Sequence, residues 1–158
     1  MVDRPASEDL LRVSSILPPP LFDLFTQMQP FEQAHAIRVM EGMHSSGYKD
    51  EDVLIAALLH DVGKVKHPIR PWERALAVLA NRLLPDKFLQ RRQGEARGIR
   101  KGIVVAANHA AWGADLAAAS GANQRVVWLI RYHDTDLALI EGQDRLVISM
   151  LQAVDAAN

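Results

Sequence analysis

Proline and glycine divide this chain into short lengths, and the lengths between them repeat their apolar residues at helical spacing. Ser7 is placed to cap a helix running toward Leu17, where Pro18, Pro19 and Pro20 stop it. Leu21 to Met28 forms a second short segment, ended by Pro30. FEQAHAIRVMEGMHSSG predicts a helix from about Phe31 that closes at Gly47 in the C-cap position. Asp50 then caps a strongly apolar helix, EDVLIAALLHDVGK. Pro68 and Pro71 break the chain, a helix is expected from about Trp72 to Leu84, and Pro85 ends it. Asp86 to Lys101, with Gly94 and Gly98, reads as irregular or loosely helical. Three more helices are expected: from near His109, with Asn108 as its cap, to Ser120-Gly121; from a cap at Asn123 to His133; and from Asp144 to Ala156. Strand-like alternation is nearly absent, Ile103 to Ala107 being the one ambiguous apolar run.

The expected fold class is all-α, a single-domain helical bundle over residues 1–158 with its core at about 31–156 and the short helices of residues 1–30 packing on it. Composition agrees. Hydrophobic residues make up 49% of the chain, enough for a core, and the low aromatic share of 6% with abundant Ala and Leu favours helices over sheets. A net charge of -1 supplies no global field toward nucleic acid or membrane, and neither partner is expected. The absence of cysteine excludes disulfides and thiolate metal sites and fits a cytoplasmic location. Met1 to Leu10 lacks the apolar core of a signal peptide, and the longest apolar run, Val53 to Leu59, is too short to span a bilayer.

The stretch LLHDVGK, Leu58 to Lys64, places ionisable residues at the end of the most apolar helix. Helical spacing puts Val53, Ala57, His60 and Lys64 on one stripe and Leu54, Ala57 and Asp61 on the next. A buried, ionised Asp is costly unless a cation or several donors offset it, and a metal ion does so economically. His35 lies one position off the apolar face of Ala36, Met40 and Met43. Asp155 shares a stripe with Ile148 and Leu151, so it should face inward. Each of these residues alone has an ordinary structural reading, as a capping Asp, a core His or a helix-end residue.

Together, His35, then His60-Asp61 in LLHDVGK 25 residues later, then Asp155 on a closing helix resemble the H…HD…D pattern of HD-domain phosphohydrolases. The likeness runs from about Phe31 to Asp155 and implies an HD-type helical bundle in which His35, His60, Asp61 and Asp155 bind one divalent cation. Imidazole and carboxylate donors suit Mn, Fe, Zn, Ni or, less well, Mg. His109, in NHAAWGADLAAASG, and His133, which follows Val126 and Ile130 on an apolar face, resemble the H…GA…H segment of HD enzymes with a larger site. By that resemblance they either hold a second metal, with Asp61 bridging, or contact substrate phosphate around a single ion. Asp61 would accept the water proton, and Lys64, His109 and His133 would stabilise phosphoryl oxygens or protonate the leaving group.

The departures narrow the substrate. After His133 the chain reads Asp134 where HD-GYP proteins have a second His, and no GYP run follows, so cyclic-di-GMP hydrolysis is not expected. Also missing are the Glu-Asp pair of guanosine tetraphosphate hydrolases and the Thr-Thr-Gly run of HD-type diadenosine tetraphosphate hydrolases. The expected activity is hydrolysis of a nucleotide or another small phosphate mono- or diester by metal-activated water. The alternative is an inactive HD domain that binds a nucleotide or a partner protein. From Lys64 to Lys101 eleven Lys or Arg face three acids. This stretch is read either as a substrate lid, with Lys64, His67, Arg70 and Arg74 binding the anion, or as a solvated face. Trp72, Trp112 and Trp128 pack in the core or at a homodimer contact.

Overall fold

The computed structural model describes residues 4–68 and 101–158, and among them there are seven α-helices and no strand. Helix α1, Ser7–Ile16, is capped by Ala6 rather than Ser7, and the Asp9 carboxylate accepts a hydrogen bond from the Ala6 amide at 3.0 Å. The prolines that stop α1 also start α2, Pro19–Thr26, because a fixed φ and a missing N–H cost nothing in a first turn. Pro30 opens α3, Pro30–Ser45, in the same way, with the Glu32 carboxylate on the Gln29 amide. Gly47, at φ +96°, makes the turn to α4, Glu51–Leu59, whose first turn is capped by the Asp50 carboxylate on the Asp52 amide.

The expected helix through Lys64 is corrected here. Helix α4 stops at Leu59, Asp61 sits at φ −97° and ψ 2°, and Val62–Lys66 winds as a 3-10 turn, so the stripe from Val53 to Lys64 does not form. The cause is packing against the next helix, α5, Lys101–Ala119. A Cβ on Gly63 would lie 1.9 Å from the His109 carbonyl oxygen and 2.6 Å from the Gly113 amide, so only glycine lets the two backbones meet. A second correction concerns α5 itself, which includes the ambiguous run Ile103 to Ala107. Asn108 is not its cap, since its side chain donates to the Val104 carbonyl one turn back.

Gly121, at φ +88°, leads to α6, Gln124–Tyr132, capped by the Asn123 side-chain Oδ1, which accepts from the Val126 amide. A short 3-10 turn, Leu137–Leu139, precedes α7, Arg145–Ala157. Helix α3 packs on α4 and α7, α4 on α6, and α5 on α6 and the Val62–Lys66 turn. Val13, Leu21, Leu24 and Phe25 of the first two helices join one buried cluster with Val39, Met43, Leu58, Leu129, Ile130 and Ile148. Arg125 ties three helix starts together, donating to Asp50 at 2.8 Å and to Asp144 at 3.0 Å.

Trp128 and Trp112 are half-buried. Trp72, the expected helix from Trp72 to Leu84 and the stretch from Asp86 to Arg100 lie outside the described residues, while Lys101 begins α5. No helix among the described residues is long and apolar enough to cross a membrane.

Candidate metal centre

Six ionisable side chains converge where five helices and one turn meet. His35 comes from α3, His60 closes α4, Asp61 opens the 3-10 turn, His109 lies within α5, His133 closes α6 and Asp155 occupies the last turn of α7. His60, Asp61, His109 and His133 are buried. His35 and Asp155 are partly open, with side chains 16% and 38% exposed.

The ring orientations are set by backbone. His60 Nδ1 lies 2.8 Å from the Ala57 carbonyl oxygen, His133 Nδ1 2.8 Å from that of Ile130, and His109 Nδ1 3.0 Å from that of Ala106. A carbonyl only accepts, so each Nδ1 carries the proton, and in the neutral ring each Nε2 presents a lone pair. The Nε2 of His60 is fully buried and has no hydrogen-bond partner among the described residues. Its nearest carboxylate oxygens, Asp155 Oδ1 at 3.4 Å and Asp61 Oδ2 at 3.6 Å, are acceptors too. His109 Nε2 and His133 Nε2 face each other at 3.2 Å, with Asp61 Oδ1 3.3 Å from His109 Nε2. Two neutral rings oriented this way set lone pair against lone pair, an arrangement that a shared positive charge resolves.

The donor atoms fall into two triads, each within 4.8 Å: His35, His60 and Asp155, and Asp61, His109 and His133. In this grouping Asp61, expected in one set with His35, His60 and Asp155, lies with the later histidines, while its Oδ2 stays 3.6 Å from His60 Nε2. Asp61 turns Oδ2 toward His60 and Oδ1 toward His109, so it stands between the triads. His60 and His133 link them further, with ring centroids 5.2 Å apart.

The electrostatics suit cation binding. Burial raises the Asp61 carboxyl, but His60, Lys64 and His109 outweigh it and hold the group well below the usual carboxylate range. Burial likewise opposes ionisation of Asp155, and the His35 hydrogen bond at 2.8 Å together with the nearby His60 ring overcomes it. Burial, with His60 and His109 beside it, pushes the His133 imidazole down to about 4. His60 is raised: burial disfavours its cation, yet Asp61 and Asp155 together favour it more. Near pH 7 the cluster therefore offers ionised carboxylates and a neutral His133, the forms that bind metals.

Of the other expected site residues, Lys64 donates to Asp61 Oδ2 from a half-buried position, which fits orienting Asp61. His67 packs its ring against Trp112, with centroids 5.2 Å apart. Arg70 and Arg74 lie outside the described residues.

Two features escaped the sequence. One is the Gly63–Gly113 contact, signalled only by a glycine inside an apparently helical pattern. The other is an open cleft of about 400 Å³ lined by His133, Asp134, Thr135, Asp136, Leu137, Gln152 and Asp155.

The family model described as HD domain matches residues 33–149, more than half of the chain. The matched span contains His35, His60, Asp61, His109 and His133 and stops before Asp155, whose membership of the cluster rests on geometry. No curated protein and no solved structure matches the chain.

Proposed function

The chain belongs to the HD domain family, and on that premise we propose that it is a metal-dependent phosphohydrolase acting on a nucleotide or another small phosphate ester. The carrying observation is the convergence of six donor side chains in two triads, with the Nε2 atoms of His109 and His133 facing each other at 3.2 Å and the His60 Nε2 without a hydrogen-bond partner among the described residues.

The residues fit such a group. His35, His60 and Asp155 would hold one divalent cation, and Asp61, His109 and His133 a second, with Asp61 reaching both. Nitrogen and oxygen donors without thiolate suit Mn, Fe, Zn or Ni, and Mg less well. When bound, such a cation lowers the pKa of its water and polarises the phosphoryl oxygen.

The chain supplies the rest. Lys64 keeps Asp61 ionised and aimed, so that Asp61 can accept the proton of the attacking water. The Ala57, Ala106 and Ile130 carbonyls hold the three rings in the tautomer that turns Nε2 inward. The Lys64 ammonium, at the edge of the buried cluster, is also placed to meet charge on a phosphoryl oxygen once Asp61 is engaged elsewhere.

The test is metal content per chain in protein purified without chelator, for the wild type and the His60→Ala and His109→Ala variants, beside turnover of p-nitrophenyl phosphate. Two ions, falling to one in His109→Ala, support the reading. One ion, lost only in His60→Ala, would return His109 and His133 to substrate contact. No ion, and no uptake on adding Mn, would reject the hydrolase and leave a binding module.

A further inference from the structure

The cleft of about 400 Å³ lies within the size range of small-molecule sites, roughly 300–1,000 Å³. Its lining includes His133 of one triad and Asp155 of the other, so it opens on both at once. A phosphoryl group held at the triads would therefore leave its ester substituent in this cleft.

The wall around that substituent has an unusual character for a phosphate-binding protein. Among the described residues that line it, none is Lys or Arg. Asp136 is fixed by the backbone, its Oδ1 accepting from the Ala138 amide at 2.9 Å. Gln152 donates its amide N–H to the Thr135 carbonyl at 2.8 Å, which leaves the Gln152 amide oxygen as the end available to a ligand. Asp134 follows His133 directly, is exposed and makes no ion pair or hydrogen bond among the described residues. The described side chains of the wall thus offer mainly acceptors, the Thr135 hydroxyl being the one that can also donate freely. Hydroxyl or amine donors gain charge-assisted hydrogen bonds there, whereas a second phosphate would face the carboxylates of Asp134 and Asp136.

We infer that this cleft takes the organic part of a phosphate monoester, rich in hydroxyl donors and free of further negative charge, and that Asp134 selects it; the inference rests on the hydrolase reading above. The class is the monophosphate of a polyol, such as the ribose of a nucleoside monophosphate, in preference to di- or polyphosphates. In the reaction the water oxygen bonds to phosphorus, the phosphorus–oxygen bond to the alcohol breaks, and the alcohol leaves with a proton beside inorganic phosphate.

The full chain, loaded with Mn, is assayed with adenosine 5′-monophosphate, its 2′,3′-dideoxy counterpart, adenosine 5′-diphosphate and p-nitrophenyl phosphate. The monophosphate is expected to exceed the dideoxy compound and the diphosphate by about tenfold in kcat/KM, the value of one hydrogen bond to a charged acceptor. Asp134→Asn should bring the ratio to the dideoxy compound close to one, and Asp134→Lys should raise the diphosphate relative to the monophosphate. A merely structural role for Asp134 would lower all four substrates alike, and that result overturns the inference. So does a wild-type ratio near one, or turnover of p-nitrophenyl phosphate without the monophosphate. No turnover of any of the four overturns the hydrolase reading itself and takes this inference with it.

Discussion

In the triad of His35, His60 and Asp155, two of the three side chains reach solvent; in the triad of Asp61, His109 and His133, all three are buried. The first gathers residues from α3, the end of α4 and the last turn of α7. The second is backed by main chain, where the 3-10 turn and α5 meet at Gly63 and Gly113. One half of the centre thus rests on a close backbone contact, and the other ends in a helix terminus facing the cleft. The buried half should hold its ion in fixed geometry, and the open half should exchange both ion and substrate.

The strongest way to break this comparison is to remove the residue the halves share. Asp61→Ala should lose both ions and lower turnover by roughly 10³-fold or more, read by metal analysis and phosphatase assay. One ion retained in that variant would mean that the triads are independent. Gly63→Ala attacks the rigid half alone. Its Cβ would meet the His109 carbonyl at 1.9 Å, so a loss of about 3 kcal/mol is expected in denaturant unfolding. Gly113→Ala, whose nearest contacts are 3.1–3.4 Å, should cost about 1 kcal/mol and loosen only the buried triad's ion. Equal effects from the two glycines would remove the backbone contact from the account.

Asp155→Asn addresses the open half. One ion should weaken by roughly ten- to a hundredfold while the other stays, measured by calorimetric titration with Mn. If both weaken together, the separation into two halves is wrong. The smallest effect is expected away from both. Arg125 ties Asp50 and Asp144 at the opposite ends of α4 and α7, so Arg125→Ala should lower stability by about 1 kcal/mol or less and leave metal uptake unchanged.

The same division marks what the sequence discloses. Helical periodicity and proline placement located α1 to α3, the start of α4, α6 and α7 closely, and LLHDVGK with His35 and Asp155 pointed to one cluster. Those signals are local, or depend on residue types that seldom sit in apolar helices without a partner. Asn108 misled because a side chain bonded to the carbonyl of Val104 looks, in one dimension, like a cap. The early stop of α4 was hidden because a His in helical register does not look like a cap; the His60 ring closes the helix on the Ala57 carbonyl, and the turn after it is fixed across space at His109 and Gly113. Sorting six candidate donors into two sets of three needed distances, and the cleft needed the Asp134–Leu137 segment to fold back beside Gln152 and Asp155.

His60 and His133 each stand at the C-cap of a helix and donate from Nδ1 to a carbonyl three residues back. Such carbonyls lack partners within the helix, so each ring serves two masters, ending a helix with one nitrogen and facing the cluster with the other. Interchangeability is therefore lost at these two positions. An Asp or Cys could supply an inward donor of suitable affinity, but neither could also give a proton backward to Ala57 or Ile130. Redesign of this centre for a softer metal has room at His35 and Asp155, where no helix terminus depends on the choice, and little at His60 or His133.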